Sequence, residues 1–212
     1  MDGVRKPYVS PRRQERAAET RRRLADSARN LFHRQGYAAT TIAQIAGDAG
    51  LAVQTFYAVY GSKRAVLTAL VDQMEEAAEL QPLLGELAAN PDPHHQLALI
   101  VDFTVRLFDR GADVVETLRS AASAEPDLAA VAREGDARRR RDQGRLLRAW
   151  AAHGALRSGL SEREAADTLW AMTSPEMYRL FVEENGWTRR RFGEWLRRLL
   201  AHLLFGSELV DG

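Results

Sequence analysis

The stretch that decides the reading runs from Thr20 to Leu70: TRRRLADSARNLFHRQGYAATTIAQIAGDAGLAVQTFYAVYGSKRAVLTAL. Two short amphipathic segments lie inside it, Thr41–Ala49 (TIAQIAGDA) and Val53–Tyr60 (VQTFYAVY), joined by a Gly-Leu-Ala corner at Gly50–Ala52. Short helix, glycine-containing turn, short helix is helix-turn-helix geometry, in which the second helix is able to enter a DNA major groove. The rest of the chain then reads as whatever controls or pairs such a head.

Bulk numbers agree with that division. A chain of 212 residues is long enough for one large domain or two smaller ones with a real core. Its formal charge is +1, but residues 1–63 carry 11 Lys and Arg against 5 Asp and Glu, and the remainder is net acidic. A basic head on an acidic body fits polyanion binding by the head. There is no cysteine, which excludes disulfides and thiolate metal sites. No stretch approaches the roughly 18 uninterrupted apolar residues of a membrane span. The opening MDGVRKPYVSPRRQER lacks the apolar core of a secretory signal, so a cytoplasmic protein with no membrane partner is expected.

Apolar residues recur at three- and four-residue intervals almost throughout, and alternating β-branched runs are missing, so the expected class is all-α. The first helix spans about Arg12–Gln35, with Gly36 as its stop. Thr40 or Thr41 caps the second, the third covers Val53–Val59, and the fourth runs from the Ser62 cap to about Leu80. Pro82, Pro91 and Pro93 read as loose or turning chain. Beyond them the periodicity gives Leu97–Asp109, Val114–Ala124, a long Asp127–Ala155 open to interruption at Gly135 and Gly144, Glu162–Glu184 kinked at Pro175, and Thr188–Phe205. The organisation expected is a helix-turn-helix domain over 1–63 and a larger helical domain over 64–212.

The residues resemble the TetR family of bacterial transcriptional regulators. The likeness covers about Arg16–Leu70: an Ala-x-x-Leu-Phe run at Ala28–Phe32, Gly36-Tyr37, Thr40-Thr41-Ile42, Ile45-Ala46, Ala49-Gly50, Thr55-Phe56-Tyr57, Tyr60 and Ser62-Lys63. The resemblance implies a homodimer that binds double-stranded DNA, usually a repressor released from a palindromic operator by a small molecule held in the helical body. It also implies phosphate contacts at Thr41, Thr55, Tyr57 and Lys63.

Read for their own chemistry, these residues support that assignment in different degrees. Thr41 stands at a helix start, where it serves as a cap and where free amides favour a phosphate. Tyr57 carries a phenol able to reach a phosphate oxygen, while Phe56 beside it suits the core. Lysine is rare here, with only Lys6 and Lys63, and Lys63 sits in a first helical turn where the dipole disfavours a cation. Gln54 is the expected base reader, since Gln pairs bidentately with adenine, with solvated surface as its alternative. Val53, Ala58 and Val59 suit thymine methyls. The chain departs from the family at Ala52, where a polar cap is common, and at Ala58 and Val59, where aromatics are common. The arm residues Arg5, Lys6, Arg12, Arg13 and Arg16 suit either minor-groove entry or plain phosphate attraction.

In the body, Phe103, Leu107, Phe108, Leu118, Leu146, Trp150, Met172 and Tyr178 are the candidate effector-pocket residues, with ordinary core as the alternative. Leu169, Trp170, Met177, Phe181, Leu196 and Leu203, on the last two helices, are candidates for a four-helix dimer interface. No nucleophile elbow, dinucleotide loop, phosphate loop or zinc-protease motif is present, so neither enzyme activity, cofactor nor metal is expected. Two other readings stay open: an architectural DNA binder, and a ligand-binding protein with a vestigial head.

Overall fold

The computed structural model describes residues 11–206. The chain forms two compact units, one reaching Leu70 and the other beginning at Val71. That division falls inside α4, Lys63–Ala77, whereas the sequence places it at the helix's start.

The first unit contains α1 (Pro11–Gln35), α2 (Ile42–Asp48), α3 (Val53–Tyr60) and the beginning of α4. Its core is Leu24, Ala25, Ala28, Leu31 and Phe32 of α1, Ile45 and Ala46 of α2, Phe56 and Tyr60 of α3, and Val66 and Leu67. Local chemistry sets each boundary. Thr41 caps α2 in a reciprocal box: its hydroxyl accepts from the Gln44 amide, and the Gln44 side chain accepts from the Thr41 amide. Gly50 (φ 64°) makes the corner between α2 and α3, a backbone shape that costs glycine nothing. α3 starts at Ala52 with no side-chain cap, and Gly61 (φ 72°) ends it.

The second unit holds the rest of α4, then α5 (Leu80–Ala89), α6 (Pro93–Ala122), α7 (Pro126–Ala152), α8 (Glu162–Met172), α9 (Pro175–Tyr178) continuing as a π-helical turn Arg179–Glu184, and α10 (Arg189–Phe205). Among the described residues there is no strand. Its core joins α6, α7, α8, α9 and α10 through Leu97, Val101, Phe108, Leu147, Trp150, Leu169, Tyr178, Phe192, Leu196 and Leu200.

Several expected boundaries shift for identifiable reasons. α4 stops at Ala77 rather than Leu80, and Glu79 (φ 64°) turns the chain into α5. Pro82 is not loose chain. It sits in the first turn of α5, where the missing N–H has no intrahelical acceptor to lose. Pro93 and Pro126 open α6 and α7 as first-turn prolines, and Asp92 caps α6 by accepting from the His94 and His95 amides. The two helices expected over 97–124 are one 30-residue helix. Gly111 lies within it because Met74 packs where its side chain would be: an added Cβ would overlap Met74 Cγ and Sδ. α7 runs through Gly135 and Gly144 without interruption. At Pro175 the helix is replaced, not kinked. Thr173 ends α8, and Ser174 starts a new helix by accepting from the Met177 amide.

Candidate nucleic-acid interface

The head presents α3 edgewise. Phe56 and Tyr60 are buried and face inward, with their rings 5.9 Å apart. Gln54, Tyr57 and Ala58 are exposed, and their spacing of three and four residues puts them on one face. Tyr57 is 53% exposed, a large exposure for an aromatic, and its ring meets Phe56 edge-on at 6.1 Å. Val53, Thr55 and Val59 are half-buried on the flanks. The surface offered is therefore an amide, a phenol and a methyl group held by a helix whose other side is fixed in the core.

Three long-range bonds fix that helix pair. The Ser27 hydroxyl donates to the Ile45 carbonyl at 3.0 Å, the Tyr60 hydroxyl donates to the Arg21 carbonyl at 3.0 Å, and the Arg23 guanidinium donates to the Ala49 carbonyl. Burial pushes the Tyr60 phenol above its ordinary pKa, with Arg21 opposing and Asp26 reinforcing the shift, so the phenol stays protonated and able to donate.

Thr41 is exposed, but its hydroxyl is engaged in the capping box. Gln44 Oε1 accepts from the Thr41 amide at 2.8 Å, the Thr41 hydroxyl at 3.1 Å and Gln35 Nε2 at 3.3 Å. Gln44 is the side chain the sequence reading passed over; its place three residues after Thr41 is the available signal. Lys63 is half-buried at the start of α4. Its ammonium donates to the Tyr37 carbonyl at 2.9 Å and the Thr40 carbonyl at 3.0 Å, and it lies 4.2 Å from the centre of the Tyr37 ring. Of the arm, Arg12, Arg13 and Arg16 are exposed on α1, while Arg5 and Lys6 fall outside the described residues.

In the second unit the expected pocket residues differ in burial. Phe108, Leu118, Trp150 and Tyr178 are buried, and Phe103, Leu107, Leu146 and Met172 are half-buried. Tyr178 lies 5.8 Å from Phe108 and meets Phe192 edge-on at 5.6 Å. The Trp150 indole N–H is taken by Gln96 Oε1 at 2.6 Å, and Gln96 Nε2 donates to the Leu87 carbonyl. Among the clefts of this unit, two are bordered by none of the eight residues. One, about 210 Å³, has Ala112, Val115 and Pro175 below a rim of Glu116, Arg119, Glu176, Arg179 and Glu183. The other, about 330 Å³, lies between α6 and α10 over Gly193 and Val105.

The interface candidates divide. Leu169 and Leu196 have no exposed surface, because both point into the chain's own core and so are not available to a partner. Leu203 and Met177 are half-buried, as is Trp170, whose ring carries the Arg140 guanidinium at 3.7 Å. Arg139 also lies against Trp170 and donates to the Thr173 carbonyl, and burial holds its pKa below the ordinary guanidinium value. Phe181 stacks on Trp195 at 4.5 Å and meets Trp187 at 4.8 Å, while neighbouring Leu180 is 42% exposed. Among the described residues no helix is long and apolar enough to cross a membrane.

Comparison with known proteins places these features. A family model described as bacterial regulatory proteins, tetR family, matches residues 24–70, the span of the buried head core. The HTH-type transcriptional regulator TtgR of Pseudomonas putida is 32% identical over 82 residues. That match spans 39% of this chain and 39% of the curated relative's length. Whole-chain likeness comes from solved structures. NalD, the secondary repressor of the MexAB-OprM multidrug efflux pump in Pseudomonas aeruginosa, aligns with 92% of this chain and 100% of its own at 19% identity, with a TM-score of 0.71. FadR from Bacillus subtilis, in complex with stearoyl-CoA, aligns with 86% and 98% at 17% identity, with a TM-score of 0.70. At such identities the likeness shows the fold.

Proposed function

We propose that this chain, whose residues 24–70 match the model of the tetR family of bacterial regulatory proteins, is a member of that family and a ligand-responsive transcriptional regulator that binds a palindromic operator as a homodimer. The observation that carries this is the face of α3: Gln54, Tyr57 and Ala58 stand exposed together while Phe56 and Tyr60 anchor the helix from behind. The charge split supports it, since residues 1–63 hold 11 Lys and Arg against 5 Asp and Glu. In this reading Gln54 reads a base, Val53 lies against a thymine methyl, and Thr41, Thr55 and Tyr57 meet the DNA backbone. The protein acts as a repressor in the cytoplasm, and it binds rather than catalyses.

The second unit is the sensor and the dimer contact. Half-buried Trp170, Met177 and Leu203 and exposed Leu180 supply apolar surface for the partner copy. Its packed core accepts an effector by moving to a second arrangement, and release of DNA follows from the effector's differential affinity for the two. FadR is described in complex with stearoyl-CoA, which supports a small-molecule effector here.

Selection of bound DNA from a random pool tests the reading. A near-palindrome is expected, its half-sites about 34–36 Å apart centre to centre. Gln54→Ala should relax one position in each half-site and cost about 1–3 kcal/mol of affinity there. A pool with no enriched sequence would overturn the proposal.

A further inference from the structure

We propose that Arg23 is a positioning residue for sequence reading: from α1 it closes the C-terminal end of α2, at the corner that aims α3. The inference rests on the DNA-binding reading above. A helix leaves its last carbonyls without intrahelical partners, and donors must come from elsewhere. At the end of α2 the local chain meets several of them. The Leu51 amide donates to the Ala46 carbonyl at 2.8 Å, and the Gly50 amide to the Gly47 carbonyl at 3.0 Å. The Ala49 amide and the Ser27 hydroxyl both donate to the Ile45 carbonyl at 3.0 Å. The Ala49 carbonyl is met by the Arg23 guanidinium, 26 residues earlier in the chain. Ala49 is buried, and a carbonyl at a buried residue is costly to leave unmet.

A second observation places the guanidinium against the corner itself. A methyl group added at Gly50 would lie 3.0 Å from Arg23 Nη2. Gly50 therefore serves twice: it takes φ 64°, and it leaves room for the arginine. Ser27 ties α2 to α1 at Ile45, and Tyr60 ties the end of α3 to Arg21. Between those ties the angle of α3 to α2 is set at Gly50–Ala52, and Ala52 gives the start of α3 no side-chain cap. A charge-assisted bond at that corner holds the angle, and the angle decides where Gln54, Tyr57 and Ala58 stand. A guanidinium has five N–H donors, and the Arg23 side chain is exposed. Donors beyond the one on Ala49 can face water or a DNA phosphate without disturbing the tie.

The test uses the full chain carrying Arg23→Met or Arg23→Lys. Met keeps an aliphatic stem and removes the donors; Lys keeps a cation and a donor. The first readout needs no DNA: the Ala49 carbonyl carbon shift, measured by NMR. It should move in Arg23→Met and move less in Arg23→Lys. The second is the ratio of affinities for the selected operator and for random DNA, taken across salt concentrations. A positioning role predicts that Arg23→Met lowers the ratio roughly fivefold or more and that Arg23→Lys recovers part of it. A phosphate contact alone predicts equal losses on both DNAs, an unchanged ratio and a salt slope lower by about 0.9. A cap that serves stability alone predicts a lower melting temperature with the ratio unchanged. An unchanged ratio or an unmoved Ala49 shift would overturn the inference. If the wild type discriminates and Arg23→Met discriminates equally well, the inference about Arg23 fails by itself; a wild-type ratio near one defeats the DNA-reading proposal and Arg23's part in it together.

Discussion

The head and the body are built from the same material, amphipathic helices, but in different proportions of corner and packed face. In the head, short helices meet at corners where side chains bond to backbone: Thr41 with Gln44, Ser27 with Ile45, Tyr60 with Arg21, Lys63 with Tyr37 and Thr40. The body has side-chain caps too, at Asp92, Ser161, Ser174 and Thr188, but between them its longer helices share a wide apolar core where Trp150, Leu169, Tyr178, Phe192 and Leu196 meet. A corner fixed by hydrogen bonds is narrow in geometry. A packed face tolerates repacking at similar volume. In the proposed function that difference separates reading from sensing, with the short-helix head presenting α3 and the wide core of the body accommodating the effector.

The sharpest test of that contrast lies in α10. Leu196→Glu would place a carboxylate where there is no exposed surface, and should destabilise the body by more than about 4 kcal/mol, seen as loss of its thermal transition. Leu203→Glu, at a half-buried position, should leave the fold standing and weaken dimerisation in sedimentation. If both variants fold equally well, the buried side of α10 is misassigned.

Gly111→Ala comes next. The new methyl group would collide with Met74, so overpacking should cost about 1–3 kcal/mol in denaturant unfolding, with thioether flexibility favouring the lower end. In the head, Thr41→Ala removes one side of the α2 capping box and should cost about 1 kcal/mol. The converse is expected at Ala52. It has the extended backbone of an N-cap but no side chain to accept from α3, so Ala52→Ser should stabilise by roughly 0.5–1 kcal/mol.

The smallest effect is a pH dependence. The Ser161 hydroxyl and then the Ser161 amide hold the Glu164 carboxyl below its ordinary pKa. A carboxyl lowered on folding lends stability above its unfolded pKa, and that stability is lost as pH falls through the folded value. Stability should therefore decline a little further in acid for the wild type than for Glu164→Gln. Parallel curves would show that the α8 cap contributes nothing through charge.

These tests follow what was legible in the chain. Helix starts and stops in the head were readable because each depends on residues close in sequence: Thr41 three before Gln44, Gly50 at the corner, Gly61 and Ser62 between α3 and α4. The all-α class was readable from periodicity. The continuity of α6 was not, because whether Gly111 breaks or packs depends on Met74 far away in sequence. The same limit separates Leu196 from Leu203: both belong to one apolar stripe, and only the rotation of α10 decides which is covered. Trp150 and Tyr178 read equally well as pocket or core, and their contacts with Gln96 and Phe192 were not readable because those partners are distant in the chain. The bonds from Lys63 to Tyr37 and Thr40 were not readable, because its partners are main-chain carbonyls, which carry no sequence signal.

The central claim is that a fixed head reads a DNA sequence. The most direct measurement is the ratio of affinities for the selected operator and for random DNA, taken by anisotropy at one stated salt concentration. A sequence-reading head predicts a ratio of at least about 10³. A ratio near one, at any affinity, would contradict it and leave only electrostatic attraction between a basic head and DNA.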